Sequence, residues 1–425
     1  MNEAIAAAVA AGGANLTAVA GTYCFSGPLT LPNGVTLTGA SMASVNFQPT
    51  KSGAAFILQG TSGISSCTLL AQPGDNGYYL GAQDPTPTQR SLYATAGAKI
   101  SLSNVSLASV DCIDCSGVSV QNCVENSTLD IFGSNNVTLR SVNFAQGYLN
   151  MFADSNQNPN VGVNLVGCTW PKRGGNQTAC IMQIGGGIAK GAAQGVQGCN
   201  FANNAVSITI VNDKSANPTY FSFANNLFAG GSIENSLYLV NGNPNVAASI
   251  NGNQFETVAY PGSPNGPVSA IIASPASQSD IGSVAFSNNV VWAPVIFSGG
   301  RQSYTNNRFS NLGQLSCESG AWFGLLNISG NNFTLSGQTS NASNVVPILL
   351  QLGATDSQNV EGPITVQNNK CTSTVALPGY ILLLDPANDQ TNVSGNTVNP
   401  SGPIIDAVHT MAEYQAIWQQ LLSSN

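Results

Sequence analysis

Apolar and polar residues alternate at period two through short runs of this chain, as in Val137-Thr-Leu-Arg-Ser141. That spacing turns one face of each run inward and the other to solvent, and so predicts strands. Each run closes on the same phrase: Gly or Asn, then usually Asn or Cys, then any residue, then an apolar one. It reads Val120-Gln-Asn-Cys-Val-Glu125, Leu139-Arg-Ser-Val-Asn-Phe144 and Leu165-Val-Gly-Cys-Thr-Trp170. It returns as Ile250-Asn-Gly-Asn-Gln-Phe255, Tyr304-Thr-Asn-Asn-Arg-Phe309 and Val393-Ser-Gly-Asn-Thr-Val398. Twelve copies between positions 102 and 393 give a mean interval of about 26 residues. A repeat of that length marks a solenoid, in which each unit buries its apolar face only against its neighbours.

A second short apolar strand follows most copies, as in Tyr148-Leu-Asn-Met-Phe152, Val206-Ser-Ile-Thr-Ile-Val211 and Tyr380-Ile-Leu-Leu-Leu384. Two or three strands per turn describe an all-β fold, a parallel β-helix, over roughly residues 20–400. Gly and Asn tolerate the left-handed backbone region that a tight bend requires. Equivalent asparagines in successive turns would stack into a hydrogen-bonded ladder. Val120, Leu139, Leu165, Val196, Phe223, Ile250, Ile328 and Val366 should form one inward row. An open coil exposes core and strand edges, so the alanine-rich start (1–20) predicts a capping helix. The apolar face of Tyr414, Ile417, Trp418, Leu421 and Leu422 predicts a second helix over 401–425.

Composition narrows the class. Charged residues are only 7%, and the formal net charge is −8. Eleven Lys and Arg form no basic run beyond Lys172-Arg173, which argues against a nucleic-acid partner. No apolar run approaches the ~20 residues of a membrane span. The surface is polar and uncharged, suited to hydrogen bonds with neutral sugars. Cys123, Cys168 and Cys199 stand where later repeats carry Asn, and read as buried thiols. Cys112 and Cys115 are a lone C-x-x-C, and His409 is the single histidine. No metal site and no cofactor is expected.

The segment Ala18-Val-Ala-Gly-Thr-Tyr-Cys-Phe-Ser-Gly-Pro-Leu-Thr-Leu-Pro-Asn-Gly-Val-Thr-Leu-Thr-Gly39 resembles the start of pectin-lyase-like right-handed β-helix proteins. There a capping helix leads into a strand, a G-x-Y turn and a second strand. The resemblance implies a right-handed coil and a polysaccharide partner. Polygalacturonases, polysaccharide lyases, epimerases and phage tailspike depolymerases share the fold, the last usually as trimers, so a homotrimer is implied as well. Neither the polygalacturonase motif with its His nor the lyase Arg motif is legible, so no catalytic residue carries over.

The candidate site therefore rests on spacing. Asp111 lies 19 residues before Asp130, and Asp130 lies 20 before Asn150. Each sits between two apolar residues, which stacks the three on one exterior sheet. Glycosidic hydrolysis needs two carboxyls about 5 Å apart for retention and roughly 6.5–9.5 Å apart for inversion. Two like charges held close raise one pKa and create a general acid. Asp111, Asp130 and Asp154 are the expected catalytic residues, with Arg140, Tyr148, Asn150 and Asp213 binding substrate. Asp114 and Glu125 should lie nearby. The bland reading is a solvated row of acids.

Two classes of function follow. One is a polysaccharide depolymerase, a glycoside hydrolase before a lyase because cations are scarce. The other is a non-catalytic spike or adhesin that recognises a surface glycan. Either would work outside the cell or on a virion surface.

Overall fold

In a computed structural model the described residues are 1–75, 90–171, 178–186, 193–202, 205–211, 219–229, 237–256, 270–273, 282–292, 294–310, 314–317, 323–335, 347–351, 363–374, 381–384, 391–399 and 407–408. Every strand pairing described is parallel, and the strands of each repeat return to the same sheets. The fold is a parallel β-helix. The chain divides into two compact units. One comprises 1–172, 178–201 and 213–219, and the other 173–177, 202–212 and 220–425.

The N-terminal unit begins with a helix, Asn2–Ala10, that buries Ile5 and Ala8 and packs on the strands Ala14–Ala18 and Val35–Gly39. Its first sheet carries an inward column in unbroken register: Leu37, Ile64, Leu102, Val120, Leu139, Leu165 and Val196. Alternate positions on these strands face out, as the buried–exposed–buried pattern of Val35–Gly39 shows. A second sheet contains Leu92–Ala94, Val110–Ile113, Thr128–Phe132 and Tyr148–Phe152. Past the bend that ends each first-sheet strand, Phe144, Trp170 and Phe201 stack at 4.4 and 4.5 Å. Trp170 is therefore part of the core.

The C-terminal unit repeats the scheme. Ile250, Phe286, Tyr304, Ile328, Val366 and Val393 form its inward column. The expected asparagine ladder is present. Asn226, Asn253, Asn289, Asn307, Asn331, Asn369 and Asn396 form six rungs, in which the Oδ1 of each residue accepts from the backbone N–H and the Nδ2 of the one before, at 2.9–3.1 Å. The residue preceding each rung adopts a left-handed backbone, including Gly252 (φ 68) and Asn306 (φ 56). The rung asparagine thereby points into the coil.

Most of the expected C-terminal helix, residues 409–425, lies outside the described residues. Ala407–Val408, expected in that helix, instead pairs as a strand with Leu383–Leu384. Two extended backbones in register can complete each other's hydrogen bonds there, which the first turn of a helix cannot do.

Candidate functional site

The stacking of the acids is as the spacing predicts. Asp111 pairs with Asp130 and Asp130 with Asn150, on three adjacent strands of the second sheet. Parallel neighbours are about 4.8 Å apart, so the two carboxyl-bearing residues stand side by side. Their environment is not the expected one. Asp111 is 0% exposed, Asp130 1% and Asn150 6%. An open exterior row is thus corrected to a sealed one.

The seal is made by residues around Gln72 and Arg90. Arg90, itself 1% exposed, lays its guanidinium across both acids. Its Nε lies 2.9 Å from Asp111 Oδ1 and its Nη2 donates to Asp130 Oδ2 at 2.6 Å. Nη1 also donates to Thr128 Oγ1 at 3.3 Å, and Asn150 Nδ2 donates to Asp130 Oδ1 at 2.8 Å. Gln72 holds the backbone of this cover: its Nε2 donates to the Arg90 carbonyl at 2.7 Å, and its Oε1 accepts from Gly53 N–H at 2.6 Å. Asp75 accepts from the hydroxyls of Ser91 and Ser109.

One guanidinium cannot neutralise this many carboxyls. Burial pushes the Asp111 carboxyl up to about 7, with Arg90 opposing the shift and Asp130 adding to it. Asp130 is raised by burial too, while Arg90 and the Asn150 amide favour its ionised form. These partners favour the ionised form of Asp130, whereas Asp111, whose Oδ2 has no hydrogen bond, is the one raised to near neutrality. Glu125 is fully buried, and desolvation, with Asp130 and Asp75 nearby, drives its carboxyl well above the ordinary range. The Ser127 N–H, donating at 3.0 Å, works against that shift. The arrangement suits a charge-balanced core clasp. It gives a polymer no access.

Asp154 sits elsewhere, at a bend two turns from Asp114. A Cβ on Gly133, the intervening residue, would fall 2.7 Å from both Asp114 Oδ1 and Asp154 Cβ. The bare glycine lets these two carboxyls meet. Asp154 Oδ1 accepts from the backbone N–H groups of Asn156 and Asn158 at 2.9 and 2.7 Å, and Oδ2 from Asn158 Nδ2 at 2.8 Å. Asp114 is raised by burial and then by its bond to Asp154, and Asp154 is lowered by its amide donors and by Asp114 despite some burial. One proton shared between them accounts for both directions.

The binding residues separate. Asn150 belongs to the sealed column, and Tyr148 is half-buried on the same strand, beside Thr128. Arg140 is exposed on the first sheet, beside Gln121 and Val166, and does not join the acids. Asp213 lies outside the described residues. Arg90 and Gln72, which decide the fate of the acid pair, belong to no repeat. The one available signal was an arginine placed directly before a strand-like Ser91-Leu-Tyr-Ala94 in a chain poor in cations.

Comparisons with known proteins add architecture-level likeness only. No protein-family model matches the chain, and no curated protein matches it. Among solved structures, it is similar to the A-module of the mannuronan C-5 epimerase AlgE4 from Azotobacter vinelandii (12% identity, 96% of this chain and 93% of that one, TM-score 0.34). It is also similar to PfbA, a surface adhesin of Streptococcus pneumoniae (13% identity, 93% and 86%, TM-score 0.36). A third is the Dettilon tailspike protein (12% identity, 93% and 64%, TM-score 0.22). At such identities and scores, no residue of this chain takes a role from them.

Proposed function

We propose that this protein is a glycan-binding β-helix that works outside the cell or on a virion surface, and that its principal acid pair is structural. The observation that carries this is the sealing of Asp111 and Asp130 beneath Arg90, all three at most 1% exposed. A general acid must reach the glycosidic oxygen, and a core carboxylate cannot. What the coil does offer a saccharide is outward rows of uncharged side chains. On the first sheet of the C-terminal unit, Asn251, Ser287, Thr305, Ser329, Gln367 and Ser394 follow one another in register. Hydroxyls and amides both donate and accept, which matches the hydroxyl-rich edge of a sugar chain.

The test is a glycan panel that scores binding and reducing-end release in parallel. Binding without release supports the reading; release that disappears with Asp130→Asn in a folded protein overturns it. A second reading, hydrolysis, is favoured by the opposed shifts of Asp114 and Asp154, since a split pair can supply an acid and a base. Both oxygens of Asp154 are already occupied by the donors of its own bend. Asp114→Asn and Asp154→Asn, assayed for release on the same panel, decide it.

A further inference from the structure

The C-terminal unit also has a third sheet, built of the short strands Val290–Val291, Arg308–Ser310, Asn332–Leu335, Lys370–Ser373 and Thr397–Asn399, which turns a different face outward. Its short strands align Val290, Arg308, Asn332, Lys370 and Thr397 in one row. Ser310, Thr334, Thr372 and Asn399 form the row beside it. Between the rows, Val291, Phe309, Phe333 and Cys371 point inward and are buried. Arg308, Asn332 and Lys370 are all exposed. Trp292 follows Val291 on the outward side, one turn before Ser310, and is 41% exposed.

The chain has eleven cationic side chains and a net charge of −8. Two of the eleven stand in this single row, two turns apart, which puts their backbones about 10 Å from one another. Neither forms an ion pair among the described residues. Such a local cationic row is what the average composition conceals.

We propose that this face binds an acidic polysaccharide carrying one carboxylate per sugar or per pair of sugars. Arg308 and Lys370 each take a carboxylate, Asn332 bonds the hydroxyls between them, and Trp292 is the platform on which a sugar ring stacks. The proposal rests on the glycan-binding reading above and gives it a ligand class and a place. A guanidinium matches a carboxylate with two parallel hydrogen bonds, and an exposed indole offers an apolar face with a polar edge. The spacing favours a polyuronate over nucleic acid. Duplex DNA carries a charge every ~1.7 Å, far denser than two cations about 10 Å apart can answer.

The test is affinity electrophoresis of the full chain in gels containing polygalacturonate, neutral dextran or neither, with a single-stranded oligonucleotide as competitor. Wild type should be retarded by polygalacturonate, and added salt should weaken the effect. Arg308→Gln with Lys370→Gln should raise the apparent Kd about tenfold or more, and Trp292→Ala should raise it several-fold, with melting temperature and dextran behaviour unchanged. Retardation by dextran but not by polygalacturonate overturns this inference and leaves the glycan reading standing. Retardation by neither, with no binding on the wider panel, overturns both. Equal competition by the oligonucleotide overturns the saccharide assignment in favour of an indiscriminate anion patch.

Discussion

The two units make the same bend and fill it differently. In the C-terminal unit the residue after the left-handed position is Asn in seven successive turns, from Asn226 to Asn396, each amide bonded to the next. In the N-terminal unit the corresponding positions are Cys67, Val105, Cys123, Val142, Cys168 and Cys199, again after left-handed residues such as Asn122 (φ 51) and Gly198 (φ 60). The thiols imitate the amide weakly: Cys199 Sγ accepts from Cys168 N–H at 3.3 Å, as Asn Oδ1 does in the ladder. The backbone bend is thus independent of the side chain that fills it. Polar cohesion in the C-terminal unit is spread over many equal rungs, whereas in the N-terminal unit it is concentrated in one ionic clasp at Arg90.

This contrast can be broken where it is sharpest. Arg90→Ala leaves the buried Asp111–Asp130 pair without its cation, and should cost about 3–5 kcal/mol, read as a large fall in melting temperature. A loss comparable to a surface substitution would show that the clasp carries little. Asn307→Ala removes a mid-ladder rung and strands the Asn289 N–H and the Phe286 carbonyl, which it now satisfies at 2.9 Å each. That should cost about 1–3 kcal/mol, and more than Asn396→Ala at the half-buried end of the ladder. Calorimetry of the two variants compares them directly. Cys123→Ala, in the thiol row, should cost about 1 kcal/mol or less, because a small apolar contact is lost and no strong donor is orphaned.

A pH series sharpens the same comparison. The Asp111 carboxyl is raised from 3.8 to about 7 on folding, and Glu125 is raised as well. The folded state then holds more protons than the unfolded one between these values, so stability is full below about pH 4 and falls as pH climbs through 7. Melting temperature should drop by a few degrees between pH 5 and 8, and Asp111→Asn should flatten the slope. A melting temperature that rises over that interval would contradict the burial of a protonated Asp111.

How much of this was legible depends on whether the cause is local. Period-two alternation and a Gly or Asn bend act within a few residues, so the coil, its inward rows and the ladder all follow from the chain. The register of Asp111 with Asp130 and Asn150 follows too, because apolar–acid–apolar triplets leave one way to stack. What covers that row does not follow. Arg90 reaches Asp130 across 40 positions, and Gln72 holds Arg90 in place from outside the repeat. Periodicity says which side chains face away from the core of their own strand, and says nothing about a later cover. Trp170 and Trp292 show the same limit from the other side: repeat position assigned the first to the core, whereas the exposure of the second depends on its neighbours.

The central claim, that the acid pair is structural in a glycan-binding coil, is tested most directly by the Asp111→Asn, Asp130→Asn double variant beside wild type. Glycan binding and reducing-end release would be measured on one panel, with circular dichroism as the check on folding. The account predicts unchanged glycan binding, no release that depends on the pair, and an altered melting temperature. Release by wild type that vanishes in a folded double variant would contradict it.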